Sequence, residues 1–152
     1  MTEPTTIHDT FVLERRYARP LARVFALLGD PALKRLWYAE TAETFDMDFR
    51  EGGREYTLSR MGADTPFPGA ALVSDAVYQH IIPERCVVLV QTMSLAERVI
   101  SSALITFELL AEEGGTTLIC THQGAFYEGS GGPEMRRHGW DVLLGRLDRE
   151  LR

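Results

Sequence analysis

The sequence predicts an α+β fold in which a curved antiparallel sheet of about seven strands wraps around one long C-terminal helix. Three observations predict it. Apolar and polar residues alternate, as in β-strands, over much of residues 45–123. The connections between these segments are short, which suits antiparallel but not parallel neighbours. The last segment, about residues 133–151, carries an apolar stripe at helical spacing, and it is the one large amphipathic element available to cover the sheet.

The elements follow in order along the chain. Residues 1–9 are polar and expected to be loose, and residues 10–18 are rich in β-forming residues and predict the first strand. Two short helices follow, the first ending at Gly29 and the second opened by Asp30 as N-cap and Pro31. Residues 94–101 predict a polar connection. Six further strands are predicted, at 45–50, 54–61, 70–82, 86–93, 101–110 and 116–123. The whole chain, 1–152, is predicted to form one domain.

Composition excludes several classes of function. The formal net charge is −6 without a long basic block, so we expect no nucleic-acid partner. Cys86 and Cys120 lie in β-like runs, which is typical of thiols in a reducing compartment. With no signal-peptide pattern and no apolar stretch of roughly 20 residues, we expect a cytoplasmic protein without membrane contact. No His or Cys spacing matches a metal site, so no metal and no cofactor is expected.

Two glycine-rich segments raise the question of a phosphate loop. The first, "EGG" at residues 51–53, is followed by a strand and has no lysine after it, which indicates a hairpin turn. The second, "EGSGGP" at residues 128–133, does precede a helix, whose N-terminus attracts anions. Because Glu128 and Glu134 flank it and no lysine follows, the favoured interpretation is a flexible entrance to the helix, which could also act as a lid over the pocket.

One helix cannot fill the concave face of a seven-stranded sheet, so a ligand cavity is expected between the two. Phe45, Met47 and Phe49 are predicted to share one face of a strand, and Tyr56 and Leu58 are predicted to face them across the hairpin. The apolar side chains expected to line this cavity are Trp37, Phe45, Met47, Phe49, Phe67, Val88, Val90, Ile105, Phe107, Phe126, Trp140 and Leu144.

Four polar or reactive residues are further pocket candidates. His122 and Cys120 share a predicted inner strand face, and His122 is either a pocket-wall base or a satisfied core histidine. A Cys–His dyad is not favoured, because residues two apart on a strand lie about 6.5–7 Å apart. Arg54, with Tyr56 on the same predicted face, is either a carboxylate ligand at the cavity mouth or a solvated residue beside a turn.

Several stretches resemble the SRPBCC, or START-like, superfamily, and within it the AHSA-like group of stand-alone bacterial proteins. The matching stretches extend over nearly the whole chain from Phe11. They are "FVLERRYARPLARVFALLGDPALKRLWY", "FDMDFREGGREY", "YQHIIPERCVVLVQTM", "GGTTLICTHQGAF" and "RRHGWDVLLGRLDREL". The resemblance implies the helix-grip fold and a scaffold that carries a pocket.

The leading functional hypothesis is binding of a small hydrophobic or amphipathic molecule in that cavity. One alternative is an enzyme of the cyclase or hydrolase type that uses a polar pocket residue such as His122, although no residue is assigned as catalytic. Another is a protein-interaction module, either a homodimer or a chaperone-associated stress-response protein. A chaperone partner is not expected, because the chain lacks room for the additional chaperone-binding domain of the eukaryotic activator.

Overall fold

The computed structural model describes residues 2–152 as one seven-stranded antiparallel sheet and three helices. The elements are β1 (Ile7–Tyr17), α1 (Leu21–Gly29), α2 (Pro31–Tyr38), β2 (Thr44–Met47), β3 (Arg54–Arg60), β4 (Ala71–Ile82), β5 (Cys86–Leu95), β6 (Arg98–Glu112), β7 (Gly115–Phe126) and α3 (Pro133–Glu150). The strand order is β1-β7-β6-β5-β4-β3-β2. The predicted helix-grip fold, with two short helices between the first two strands, is therefore confirmed.

The strand order explains how the chain closes around its interior. Strands β2 to β7 form successive hairpins, while β1 pairs with β7 at one edge and β2 lies at the other. The α1–α2 segment therefore carries the chain from one edge of the curved sheet to the opposite edge. Helix α2 also packs against α3, which covers the inner face of the sheet.

Local sequence fixes the junction between α1 and α2. The Asp30 carboxylate accepts a hydrogen bond from the Ala32 amide at 3.0 Å, and Pro31 occupies the first position of α2. The indole N–H of the fully buried Trp37 donates to the Leu27 carbonyl oxygen at 2.7 Å. The two helices are thereby held as one bent unit above the sheet.

Helix α3 buries the stripe that the sequence predicts. Trp140, Leu144, Leu147 and Leu151 are 0–4% exposed and belong to one core cluster with the inner face of the sheet. No helix within residues 2–152 is long and apolar enough to cross a membrane.

The turn at Gly52 and Gly53 is a hairpin corner docked on β4. Gly52 has φ +83, and a Cβ on Gly53 would lie 2.0 Å from the Asp48 carbonyl oxygen. The backbones of Gly52 and Gly53 exchange hydrogen bonds of 2.8 and 2.9 Å with Tyr78. The glycines therefore meet a steric requirement of the turn and do not open a helix.

Several boundaries differ from the sequence prediction. Strand β1 starts at Ile7 instead of residue 10, because residues 7–9 pair with the end of β7. Strand β2 ends at Met47, and the chain turns over residues 48–53. The predicted polar connection at residues 94–101 is a tight hairpin between β5 and β6, with Ala96 and Glu97 at φ 51 and 69. Positive φ at both turn residues matches the twist of the flanking strands.

Candidate functional site

The layer between the sheet and α3 contains most of the residues that the sequence places inward. The aromatic rings of Phe107 and Trp140 meet edge to face across this layer, with centroids 5.8 Å apart. Of the residues that the sequence analysis places inward, eight are 0–3% exposed, namely Trp37, Ile105, Phe107, Cys120, His122, Phe126, Trp140 and Leu144. Their inward orientation agrees with the sequence analysis, while contact with a ligand stays a prediction.

Phe45, Met47 and Phe49 lie at the edge of this layer and are half-buried. Met47 and Phe49 pack against the core, and the Phe49 ring meets Tyr78 edge to face at 5.1 Å. Phe49 follows the end of β2, so it reaches the core from the turn. Phe45 approaches the ring of Tyr38 with centroids 6.3 Å apart.

Two candidates on β3 point away from this layer, so their predicted inward orientation is wrong. Met47 pairs directly with Glu55, and directly paired residues share a face of the sheet, so Glu55 is the inward residue. Arg54 and Tyr56 therefore lie on the outer face. There the Arg54 guanidinium binds the Asp75 carboxylate through two bonds of 2.8 Å.

Three further candidates also lie outside the layer. Val88 and Val90 alternate with the buried Val87 and Leu89 on β5, so they belong to the outer face, and Val90 is 43% exposed. Phe67 lies in the loop between β3 and β4 and is 55% exposed. None of the three is placed to contact a molecule between the sheet and α3.

A buried ionic cluster that the sequence analysis did not predict joins α2 to the sheet. Lys34, the single lysine of the chain, is 2% exposed, and its Nζ lies 2.7 Å from Oε2 of Glu55, which is 1% exposed. The Tyr78 hydroxyl donates to the same oxygen. Burial and the Glu55 carboxylate raise the pKa of Tyr78, so this hydroxyl remains protonated. The one sequence signal is that Lys34 precedes the buried Trp37 by three residues and shares its helix face.

A polar group lies beside this cluster, nearer the N-terminal end of α3. The Gln91 amide donates to the Ser74 hydroxyl at 2.6 Å and to the Tyr38 hydroxyl at 3.1 Å. Gln91 is 3% exposed, and its Oε1 has no hydrogen-bond partner. The hydroxyl of Thr57, directly paired with Ser74 on the neighbouring strand, is also buried without a partner. Tyr38 extends the group toward α3, because its ring lies 6.0 Å from that of Trp140.

His122 is fully buried, and neither ring nitrogen has a hydrogen-bond partner. Its imidazole stacks on Phe11 at 4.7 Å and faces Phe126 at 5.7 Å. Burial, and secondarily the positive charge of Arg136, lowers its pKa to about 4, so the ring is neutral near pH 7. It is thus a core histidine whose hydrogen-bonding capacity is not satisfied by the described chain.

Arg136, in the first turn of α3, completes the site. One guanidinium nitrogen, Nη2, donates to the buried Ser101 hydroxyl at 2.7 Å, while the other, Nη1, is buried without a partner. The guanidinium also lies 5.4 Å from the centre of the Phe126 ring. Burial lowers the pKa of Arg136 to about 10, which still leaves it cationic near pH 7. We call Gln91, His122 and Arg136 the polar end of the interior layer.

A Cys–His nucleophile is absent from this site. Cys120 is fully buried, and burial raises the pKa of its thiol to about 12, which keeps it protonated. His122 accepts no hydrogen bond from it. Within residues 2–152, no group of three or more His, Cys, Asp or Glu side chains is placed to hold a metal ion.

Three cavities of about 470, 570 and 390 Å³ lie on other parts of the surface. The first lies on the outer face of the sheet beside Val90, the second beside Pro20, and the third beside Arg54. None is lined by a residue of α3. The cavity expected between the sheet and α3 therefore stays a prediction. The feature of that layer that bears on function is its set of buried polar atoms without hydrogen-bond partners.

Comparisons with known proteins agree with the fold. Residues 18–152 match the family described as activator of Hsp90 ATPase homolog 1-like protein, while a comparison with curated proteins found no match. An uncharacterised protein from Rhizobium leguminosarum is 33% identical, with 96% of this chain and 95% of that one covered and a TM-score of 0.89. The Mll3558 protein from Rhizobium loti is 34% identical over 97% of this chain and 100% of its own, with a TM-score of 0.88.

A more distant structure shares the fold alone. CalU16 from Micromonospora echinospora is 17% identical, with 97% of this chain and 87% of that one covered and a TM-score of 0.63. The matched range 18–152 includes both short helices, strands β2 to β7 and α3, which together form the layer described above. The chain belongs to the SRPBCC-type family of activator of Hsp90 ATPase homolog 1-like proteins.

Proposed function

We propose that this protein binds a small amphipathic molecule between the sheet and α3. The observation that carries the proposal is the set of unpartnered polar atoms at the polar end, contributed by β5, β7 and α3. Gln91 Oε1 requires a donor, Arg136 Nη1 requires an acceptor, and neutral His122 offers one of each. A ligand that carries both a donor and an acceptor would satisfy groups that the protein itself does not.

The energetics favour such a ligand. Each buried polar group without a partner costs about 1–3 kcal/mol, and a suitable ligand group would recover part of that cost. The apolar part of the ligand would contact the aromatic wall formed by Phe107 and Trp140, where burial contributes about 25 cal/mol per Å² before the cost of association. Because this wall is closely packed, binding requires the first turn of α3 and the preceding loop to move.

The loop before α3 supports that movement. Gly129, Gly131 and Gly132 all have positive φ, and Gly132 is the N-cap of α3 without a side-chain hydrogen bond to the helix. The element that carries Arg136 is therefore joined to β7 through residues with few steric restrictions. This arrangement fits the lid role predicted for the segment.

A catalytic role for His122 is the second candidate function. Catalytic residues often have pKa values far from the ordinary value, and the pKa of His122 is lowered from 6.5 to about 4. A pKa near 4 keeps the imidazole neutral but makes it a weak base near pH 7. In addition, neither ring nitrogen contacts a carboxylate that would orient it. These features favour a binding role over proton transfer.

The proposal can be tested with n-decanol as a neutral amphipathic probe. Titration followed by backbone ¹H–¹⁵N NMR is expected to shift resonances of Gln91, Ser101 and Arg136. Gln91→Leu removes the free acceptor and should weaken decanol binding about tenfold, equivalent to about 1.4 kcal/mol. Gln79→Leu, on the exposed face of β4, is the matched control and should bind as the wild type does.

Native mass spectrometry of freshly purified protein provides an independent test. Release and identification of a co-purifying apolar compound would support the proposal and name its chemical class. If neither decanol nor any aliphatic acid shifts residues of the polar end, or if all shifts map to the outer face of the sheet, the proposed binding site is wrong.

A further inference from the structure

Arg136 combines a buried, unpartnered guanidinium nitrogen with the lack of a counterion. Eight arginines lie within 4 Å of a carboxylate on the surface, namely Arg15, Arg16, Arg50, Arg54, Arg60, Arg98, Arg146 and Arg149. Arg136, whose Nη1 is buried, has no carboxylate within that distance among residues 2–152. Exposed arginines such as Arg137 also lack a carboxylate within 4 Å in the described part of the chain, but solvent screens an exposed charge, whereas the Nη1 of Arg136 is buried.

The neighbouring groups do not compensate the charge of Arg136. Ser101 supplies one neutral acceptor at 2.7 Å, and the Phe126 ring lies 5.4 Å from the guanidinium carbon. Glu55, the buried carboxylate of this region, is committed to Lys34 and Tyr78. A buried cation is costly unless it is paired and fully hydrogen-bonded.

We infer that the ligand of this site is an apolar monocarboxylic acid whose carboxylate binds Arg136. The free Nη1 provides the donor, and the planar guanidinium matches the geometry of a carboxylate. A single negative charge would balance the single positive charge at the polar end, since His122 is neutral there. This inference rests on the proposed function and specifies the head group of its ligand.

The sharpest test compares n-decanoate with n-decanol, which share a chain and differ in charge. At pH 7.5 we expect decanoate to bind the wild type at least about tenfold more tightly, as charge-assisted hydrogen bonds are about twice as strong as neutral ones. If decanol binds as tightly as decanoate, the inference is wrong and the proposed function stands. If neither binds, both are wrong.

Neighbouring arginines on α3 supply a matched pair of variants. Arg136→Gln should remove the preference for decanoate over decanol, and Arg136→Lys should retain part of that preference. Arg137→Gln makes the same change of net charge at an exposed position and should retain the full preference. Equal losses in both variants would show a general effect of charge and overturn the assignment.

A measurement on the wild type avoids any effect of substitution on folding. The side-chain Nε–H resonance of Arg136 should shift further on addition of decanoate than on addition of decanol. n-Decyl phosphate, which carries up to two charges at this pH, should bind more weakly than decanoate. Tighter binding of the phosphate, or an unmoved Arg136 resonance in the decanoate complex, would refute the carboxylate assignment.

Discussion

Lowering the pH should destabilise this protein in a window set by His122. In the folded chain its pKa is about 4, against an ordinary value of 6.5, because the ring is buried between Phe11 and Phe126 and lies near Arg136. Between these two values the unfolded chain binds a proton that the folded chain excludes. Stability is therefore fully present above the unfolded pKa and falls as the pH decreases toward the folded pKa.

The magnitude follows from the displacement of the pKa. Each pKa unit is worth about 1.4 kcal/mol, so the contribution of His122 to the free energy of unfolding should fall by about 2.5 kcal/mol between pH 7 and pH 4.5. Urea denaturation at half-unit intervals of pH measures this loss. Carboxylates elsewhere also titrate at the acid end, so the wild type must be compared with a variant that lacks the imidazole.

His122→Phe keeps an aromatic ring between Phe11 and Phe126 and removes the titrating group. Between pH 7 and pH 4.5 we expect its free energy of unfolding to fall by about 2.5 kcal/mol less than that of the wild type. His138→Phe, at an exposed position on α3, should retain the wild-type dependence. Parallel curves for the wild type and His122→Phe would refute the argument that burial keeps this ring neutral.

Two further substitutions test the ionic cluster and the outer face. Lys34→Met leaves the Glu55 carboxylate buried without its cation and should lower the free energy of unfolding by about 3–5 kcal/mol, measured by urea denaturation. The double variant with Glu55→Gln should recover part of that loss, and a double variant whose loss equals the sum of the two single losses would show that the two residues are not coupled. Arg54→Ala breaks an exposed ion pair with Asp75, so we expect a change below about 1 kcal/mol and unaltered decanol binding. A loss of binding in Arg54→Ala would contradict its outward orientation.

The fold was predictable because its signals are local. Alternation, glycine turns and the apolar stripe of α3 each depend on residues close together in sequence, and together they admit few arrangements of the sheet. The inward orientation of β3 was not predictable in the same way. It depends on how many residues the turn at 48–53 consumes, and a difference of one residue reverses the face of every side chain in the strand.

The predicted orientation of β5 is wrong for a different reason. Its sequence from Val87 to Val90 is continuously apolar, so alternation carries no information there. The register with β6 determines which side chains of β5 face inward, because Leu89 pairs directly with the buried Ile105. Gln91, two residues further along, then falls on the inner face, where sequence reasoning does not place a polar amide.

The sequence does not predict that Lys34 and Arg136 contact the interior, because pattern analysis assigns charged side chains to solvent. Lys34 and Arg136 become interior only through residues distant in sequence, Glu55 for the first and Ser101 for the second. The two cases differ in a way that bears on function. Lys34 has its counterion, so its burial is explained by folding alone, whereas the Nη1 of Arg136 is desolvated without one. Folding by itself disfavours that arrangement, and an anionic partner that is not part of the chain would offset it.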